Sequence, residues 1–283
     1  MSVSTGWEHP VHREREFTAA LKILQRIKTC LGPSILVFTL GVGFAIAGPE
    51  TPAAAAECVV LLHGLGRTYR SMAEMAEALQ AADYVIINVD YPSREQPIEE
   101  LADSVMREGI EGCGRKNAAS IHFVTHSMGG ILVRYFLANN RSDRLGRVVM
   151  LSPPNQGSEA ADLLRDQTLY AWINGPAGQQ LGTGADSLPL RLGPVDFPLG
   201  IITGNRPAFY DRWLAESIPG PNDGKVSVVS AKVAGMTDFL VLPYTHTFIM
   251  DEPEVISQTI HFLRYGRFHR NDASNPGAAR PGD

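Results

Sequence analysis

Residues 121–137 combine a strand pattern with a helix pattern and read Ile-His-Phe-Val-Thr-His-Ser-Met-Gly-Gly-Ile-Leu-Val-Arg-Tyr-Phe-Leu. The first part is a short apolar and β-branched run, which is typical of a buried parallel strand. The second part has apolar residues at helical spacing, so a sharp turn at Ser127 must separate the two. Gly129 and Gly130 let the helix begin close to the strand, which leaves the Ser127 hydroxyl exposed above the sheet.

This arrangement predicts a nucleophile elbow, with a serine between a strand and the helix that follows it. The free N–H groups and the positive end of the helix dipole would then face an oxyanion formed beside Ser127. The usual pattern is Gly-x-Ser-x-Gly, and this chain has Thr125 at the first position. The alternative is that Ser127 is an ordinary N-cap, whose side chain binds the first turn of the helix.

The composition of the 283-residue chain is that of a globular protein, with 44% hydrophobic and 19% charged residues. Its formal net charge is −5, whereas nucleic-acid phosphates are bound by basic surfaces, so we expect no nucleic-acid partner. No cluster of His, Cys and Asp has the spacing of metal ligands. We therefore expect no catalytic metal and no other cofactor.

Residues 1–56 have the pattern of a targeting segment. Basic residues precede the charge-free stretch Thr29–Pro49, and small residues follow it. This order is typical of a secretory signal, and the apolar part, Ile35–Ala47, is shorter than the roughly 20 residues that span a membrane. We expect the protein to be exported, to the periplasm or the medium, or anchored to the membrane through residues 13–48. The alternative is a buried core helix.

From Cys58 onward, strand patterns alternate with helix patterns, which predicts a parallel sheet with helices on both faces. One helix is expected over Ile98–Ile110, ending in the glycine-containing segment that follows. Residues 158–198 lose periodicity at repeated Gly and Pro, and an insertion of this length predicts either a cap or lid over the site or a long surface excursion. The domain is expected over residues 57–268, with a disordered tail over 269–283.

Asp223 and His246 each follow the carboxyl end of a predicted strand, as Ser127 does. These ends share one edge of a parallel sheet, where binding sites form. A base that takes the serine proton and an acid that orients the base are the parts of a serine-nucleophile mechanism. Asp196 and Asp238 are competing acids, but neither precedes a glycine in the loop after the penultimate strand.

Four motifs occur in order on these strand ends: His63-Gly64-Leu65-Gly66, His126-Ser127-Met128-Gly129-Gly130, Asn222-Asp223-Gly224-Lys225-Val226 and Thr245-His246-Thr247. Over about residues 58–268 the chain resembles small bacterial lipases and esterases of the α/β-hydrolase superfamily, which are broadly described as hydrolases or acyltransferases. The resemblance implies an α/β-hydrolase fold with a mostly parallel central sheet. It also implies a catalytic triad of Ser127, His246 and Asp223, and an oxyanion hole formed by the N–H groups of Leu65 and Met128.

The implied function is hydrolysis of a carboxylic ester, either a small molecule or a lipid, through an acyl-enzyme on Ser127. Three alternatives stay open: acyl transfer to an alcohol by the same triad, thioester or amide cleavage, and a binding domain that retains the fold without the chemistry. Within the cap, Leu169 and Trp172 would either line an acyl pocket or support it.

The remaining histidines have simpler interpretations. His126 is adjacent to the nucleophile, but neighbouring residues on a turn point apart, so we expect it to pack near the groove. His63 is expected to shape the oxyanion loop through a hydrogen bond. His122 and His261 are expected to be ordinary strand and helix residues.

Outside the targeting segment the cysteines are Cys58 and Cys113. In the fold that the resemblance implies, Cys58 begins the strand beside the elbow strand, and Cys113 ends the helix that leads into the elbow strand. Both would lie at the end of the sheet opposite the site. We expect a disulfide between them, with two free buried thiols as the alternative.

Overall fold

The computed structural model describes residues 56–164 and 168–270, without the side chains of residues 165–173. Within these ranges six strands form one sheet: β1 Glu57–Leu62, β2 Val85–Val89, β3 Ser120–His126, β4 Leu145–Leu151, β5 Leu199–Gly204 and β6 Asp238–Leu242. Their order is β2-β1-β3-β4-β5-β6, and every neighbouring pair is parallel. The predicted parallel sheet is confirmed. All six carboxyl ends therefore lie at one edge.

Helices cover both faces of the sheet. They are α1 Ala73–Ala81, α2 Ile98–Arg115, α3 Met128–Asn139, α4 Glu159–Leu164, α5 Thr168–Gln179, α6 Leu188–Arg191, α7 Arg212–Ala215 and α8 Pro253–Tyr265, with α5 broken at Gly175. Side chains alternate between faces along a strand. Val60 and Leu62 of β1 accordingly join the core under α2 and α3, whereas Val59 and Leu61 join the core under α1 and α8.

Helix α2 is longer than the sequence predicts, because it continues through its glycines to Arg115. These glycines lie against strand side chains. A Cβ atom on Gly109 would lie 2.6 Å from Val60, and one on Gly112 would lie 3.0 Å from Ile87. Close packing on the sheet therefore outweighs the low helix propensity of glycine. The expected helix end at Ile110 was wrong for this reason.

The expected disulfide joins Cys58 at the start of β1 to Cys113 in α2. Both residues are fully buried, and their Cα atoms are 5.8 Å apart. The bond lies at the amino edge of the sheet, opposite the edge where the strands end. Both the pairing and its position are thus confirmed.

The predicted amino-terminal segment lies outside the described residues apart from residue 56, and so does most of the predicted tail. At the start of that tail, His269 bonds to Gln258, and Arg270 bonds to Asp238. Among the helices in the described ranges, none has both the length and the apolar composition needed to cross a membrane.

Candidate active site

Ser127 lies on the sharp turn between β3 and α3, with φ 51° and ψ −120°. Residues other than glycine rarely adopt this region, and such strain persists only where the surroundings enforce it. A Cβ atom on Gly129 would lie 2.8 Å from the carbonyl oxygen of Leu62, so α3 passes close over β1. The Ser127 side chain makes no capping bond to the helix. The turn is thus the predicted elbow, and the interpretation as an ordinary N-cap is wrong.

Thr125, which replaces the usual glycine of the elbow pattern, is fully buried in β3. It is aligned with Leu62 of β1 on one side and with Met150 of β4 on the other. The two neighbouring strands therefore accommodate a larger side chain at this position without loss of the elbow.

Ser127, His246 and Asp223 form a continuous chain of hydrogen bonds. The distance from Ser127 Oγ to His246 Nε2 is 3.1 Å, and His246 Nδ1 lies 2.8 Å from Asp223 Oδ2. The main-chain N–H of His246 also donates to the carbonyl oxygen of Asp223 at 3.0 Å. Asp223 lies in the loop between α7 and β6, and His246 begins a 3-10 turn after β6. The fold thus brings the three expected residues together from three loops.

Asp223 is completely buried and is held in its ionised form by several donors. Its Oδ1 accepts the N–H groups of Lys225 at 3.0 Å and Val226 at 2.9 Å. Burial alone would raise the pKa of Asp223, but the charge and hydrogen bond of His246, with those of Val226 and the Ser152 hydroxyl, lower it below its ordinary value. A charged carboxylate therefore faces Nδ1 of the imidazole, which keeps the proton on that nitrogen and leaves Nε2 free toward Ser127.

His126 supports His246 from the side. Its Nε2 donates to the carbonyl oxygen of His246 at 3.0 Å, and the two ring centroids are 5.0 Å apart. Burial, reinforced by repulsion from His246, lowers the pKa of His126 well below its ordinary value. His126 is therefore a neutral packing residue beside the groove, in agreement with the prediction.

The oxyanion loop lies directly against the elbow. A Cβ atom on Gly64 would lie 2.8 Å from His126 Nδ1 and 3.2 Å from Ser127 Cβ, so only glycine permits this approach. Among the described residues, the N–H of Leu65 has no acceptor. Met128 is the first residue of α3, where N–H groups lack acceptors within the helix. Both expected donors are thus available near Ser127.

The other candidates are not bonded to the triad. His63 donates from Nδ1 to the carbonyl oxygen of Gly64 at 2.9 Å and stacks on the Tyr91 ring, which fits its expected role in shaping the oxyanion loop. Asp196 pairs with Arg141 on the surface.

The last three candidates are Asp238, His122 and His261. Asp238 begins β6 and pairs there with Arg270. His122 lies near the start of β3, and His261 in α8 bonds to the carbonyl oxygen of Arg267. Neither competing acid is bonded to His246.

A cavity of about 310 Å³ opens beside Ser127 and His246. Small and branched apolar side chains form much of its wall, including Ala160, Ala161, Leu164 and Leu181 from the predicted cap, and Leu214 from α7. The side chains of Leu169 and Trp172 lie outside the described residues. Closure of residues 158–198 as a lid stays a prediction.

Two residues of the site were missed by sequence reasoning. Ser152 contributes a hydrogen bond to Asp223 and has a positive φ of 48° directly after β4, as Ser127 has after β3. Arg67 follows the His-Gly-Leu-Gly motif, donates from Nη2 to the carbonyl oxygen of Thr247, and lines the cavity. Both residues lie in loops that follow strands, and this position in the sequence could have identified them as site residues.

Comparisons with known proteins agree with this fold. The family model described as the alpha/beta hydrolase family matches residues 59–272. Similar solved structures include a Bacillus licheniformis lipase in its mature form, with 20% identity, a TM-score of 0.61, and coverage of 76% of this chain and 94% of that one. A metagenomic carboxyl esterase has 20% identity and a TM-score of 0.57, with 78% and 70% coverage. Aspergillus fumigatus lipase B has 15% identity and a TM-score of 0.57, with 76% and 56% coverage.

At these identities the solved structures support the fold alone. No protein with a curated description matches the sequence. The family match spans most of the chain, including the elbow and the loops of Asp223 and His246. The chain therefore belongs to the alpha/beta hydrolase family.

Proposed function

We propose that this protein is a serine hydrolase of carboxylic esters. The observation that carries the proposal is the hydrogen-bonded sequence from Asp223 through His246 to Ser127, with its donors and acceptors correctly oriented. A buried carboxylate on one imidazole nitrogen and a hydroxyl on the other form the arrangement that activates a serine nucleophile. Part of the wall of the cavity beside Ser127 is apolar, which suits an acyl group.

In the proposed reaction, Ser127 Oγ attacks the ester carbonyl carbon while His246 Nε2 accepts its proton. Asp223 keeps the other ring proton on Nδ1 and stabilises the imidazolium that forms. The N–H groups of Leu65 and Met128 donate to the developing oxyanion. The tetrahedral intermediate then expels the alcohol, which takes the proton from Nε2 and leaves an acyl group on Ser127. Water, activated by the same imidazole, releases the acid by the reverse sequence.

The test is turnover of p-nitrophenyl butyrate by the Ser127→Ala variant. Loss of the nucleophile is expected to reduce kcat by at least about 10⁴-fold, because the remaining groups only stabilise charge. A fluorophosphonate probe is expected to label the wild-type protein at Ser127 and to leave the variant unlabelled. Folding of the variant is checked by circular dichroism.

A matched control is Ser120→Ala, since Ser120 Oγ also lies near an imidazole nitrogen, 3.4 Å from His122 Nε2. This variant is expected to keep both turnover and labelling. Retained turnover in a folded Ser127→Ala protein would exclude the proposed nucleophile.

We also propose that the protein works in an oxidising compartment, either exported or anchored through residues 13–48. The Cys58–Cys113 disulfide supports this proposal, because such bonds persist mainly outside the cytosol. Alkylation of protein isolated without reductant tests whether the disulfide is present. Two alkylated thiols at these positions would contradict the proposed compartment.

A further inference from the structure

The cavity beside Ser127 has an uneven charge. Two of its lining residues, Arg67 and Lys225, have basic side chains. Among the described residues that line it, none is an aspartate or a glutamate. An ester without charge needs no such pair of cations, because an apolar wall and a few hydrogen bonds suffice to hold it.

Arg67 is placed on the side of the catalytic histidine. One of its guanidinium nitrogens donates to the carbonyl oxygen of Thr247, directly after His246, and its Cζ lies 5.5 Å from the centre of the Phe248 ring. A guanidinium has five N–H donors. Within the described part of the chain its side chain makes no other hydrogen bond and no ion pair. Its charge acts to lower the pKa of Asp251, although burial raises that pKa overall. Most of its donors remain available to a ligand.

Lys225 approaches from the loop of Asp223. Its main-chain N–H donates to Asp223 Oδ1, and its carbonyl oxygen accepts the hydroxyl of Ser158, so the backbone is fixed at both ends. Its side chain is half-buried at the cavity. In the ranges that the structure describes, its ammonium has no hydrogen bond and no ion pair. With no counterion among the described residues, the Lys225 ammonium is free to pair with an anionic group in the cavity.

Both basic residues are bonded to the surroundings of His246. Arg67 binds the carbonyl oxygen of Thr247, and the main chain of Lys225 binds Asp223. The leaving alcohol must receive its proton from His246 Nε2, so it lies on this side of the cavity. The apolar side chains of the predicted cap remain for the acyl group. We propose, on the basis of the proposed ester hydrolysis, that the preferred substrate carries an anionic group, a phosphate or a carboxylate, on its alcohol part.

The two cations could instead act on the oxyanion itself. In that case they would raise kcat for every ester equally, whereas recognition of an anionic alcohol lowers KM only for esters that carry the charge on the alcohol part. The division between kcat and KM, measured on paired substrates, separates these roles.

The experiment compares three butyrate-sized esters of glycerol by chromatography of the products. 1-Butyrylglycerol is neutral, 1-butyrylglycerol 3-phosphate carries its charge on the alcohol, and the glycerol hemiester of glutaric acid carries it on the acyl group. Wild-type kcat/KM is expected to be about tenfold or more higher for the phosphate than for the neutral ester, mainly through KM. Raising the ionic strength from about 0.01 M to about 1 M should reduce this preference, since salt screens charge.

Lys225→Gln is expected to reduce the preference about tenfold, and Lys225→Glu is expected to reverse it. Lys232→Gln is the matched control: this exposed lysine packs over Phe239 outside the cavity, so its loss should leave the ratio unchanged. Circular dichroism confirms that the variants fold.

An equal kcat/KM for the neutral and phosphate esters would overturn the inference. A preference for the glutaric hemiester would also overturn it. So would a ratio of phosphate to neutral kcat/KM that Lys225→Glu leaves unchanged. In each of these results 1-butyrylglycerol is still hydrolysed, so the proposed function survives. Failure of the wild type to hydrolyse any of the three esters, with no labelling of Ser127, would instead overturn the proposed function and this inference with it.

Discussion

At both edges of the sheet a serine, a histidine and a carboxylate lie close together, but only one edge arranges them for proton transfer. At the carboxyl edge, His246 contacts Ser127 through Nε2 and Asp223 through Nδ1. At the amino edge, Ser120 Oγ lies 3.4 Å from His122 Nε2, and Glu57 Oε1 lies 3.6 Å from that same nitrogen.

The imidazole at the amino edge has no free lone pair facing its serine. His122 Nδ1 accepts the main-chain N–H of Arg147 at 2.9 Å, so the ring proton must lie on Nε2, where it faces the hydroxyl and the carboxylate together. Glu57 is also 48% exposed, whereas the Asp223 side chain is 0% exposed. A triad is thus defined by which ring nitrogen each partner occupies and by burial of the acid, not by proximity of the residue types.

The largest difference between the edges should follow from making each acid neutral. Asp223→Asn is expected to lower kcat by about 10³- to 10⁴-fold, because an amide can stabilise the wrong imidazole tautomer and cannot stabilise the imidazolium. Glu57→Gln is expected to leave kcat within about twofold, since its carboxylate serves no base. Turnover of p-nitrophenyl butyrate measures both variants. Equal effects at the two positions would remove the distinction between the edges.

The second difference is that the amino edge contributes to stability but not to activity. The disulfide at the amino edge closes a loop with a sequence separation of 55 residues. Replacing both cysteines by alanine is expected to lower the free energy of unfolding by about 4 kcal/mol, chiefly by freeing the unfolded chain. Because the bond lies opposite the cavity, kcat of the folded variant should not change. Urea unfolding and turnover at one temperature measure the two quantities, and a large loss of kcat would contradict the separation of the edges.

The sequence predicted the carboxyl edge better than the amino edge. Ser127, Asp223 and His246 could be located because each follows a strand pattern, and because strand ends of a parallel sheet converge. The Ser120, His122 and Glu57 group could not be predicted, since its contacts depend on how β1 and β3 align, which places Glu57 beside Ser120.

Packing between distant segments also escaped prediction. The extension of α2 to Arg115 depends on Val60 and Ile87 lying against its glycines, which no local pattern reports. Ser152 and Arg67 were missed because their partners, Asp223 and Thr247, are remote in sequence. Local patterns thus located the strand ends, whereas side-chain partners across loops required the structure.

A third difference is the effect of replacing glycine at the elbow and near the end of α2. Gly129→Ala is expected to destabilise the protein by about 3 kcal/mol, because its Cβ would lie 2.8 Å from one carbonyl oxygen and 3.0 Å from another, and backbone cannot move aside easily. Gly114→Ala, near the end of α2, meets nothing closer than 4.0 Å. It is expected to stabilise the protein by up to about 1 kcal/mol through helix propensity. Thermal unfolding measures both, and destabilisation by both variants would show that the elbow is not special.

The smallest effect is the pH dependence of stability at the carboxyl edge. Because the pKa of His126 is well below its ordinary value in the folded protein, the unfolded chain binds more protons below about pH 6.5, and stability falls as pH falls. His126 alone is expected to cost about 2 kcal/mol between pH 7 and pH 5. At the amino edge, Glu57 partly offsets the burial that lowers the pKa of His122, so that residue should cost less. Urea unfolding at both pH values measures this loss of unfolding free energy. The loss should become smaller in His126→Gln than in His122→Gln. The reverse order would contradict the proposed difference between the two histidines.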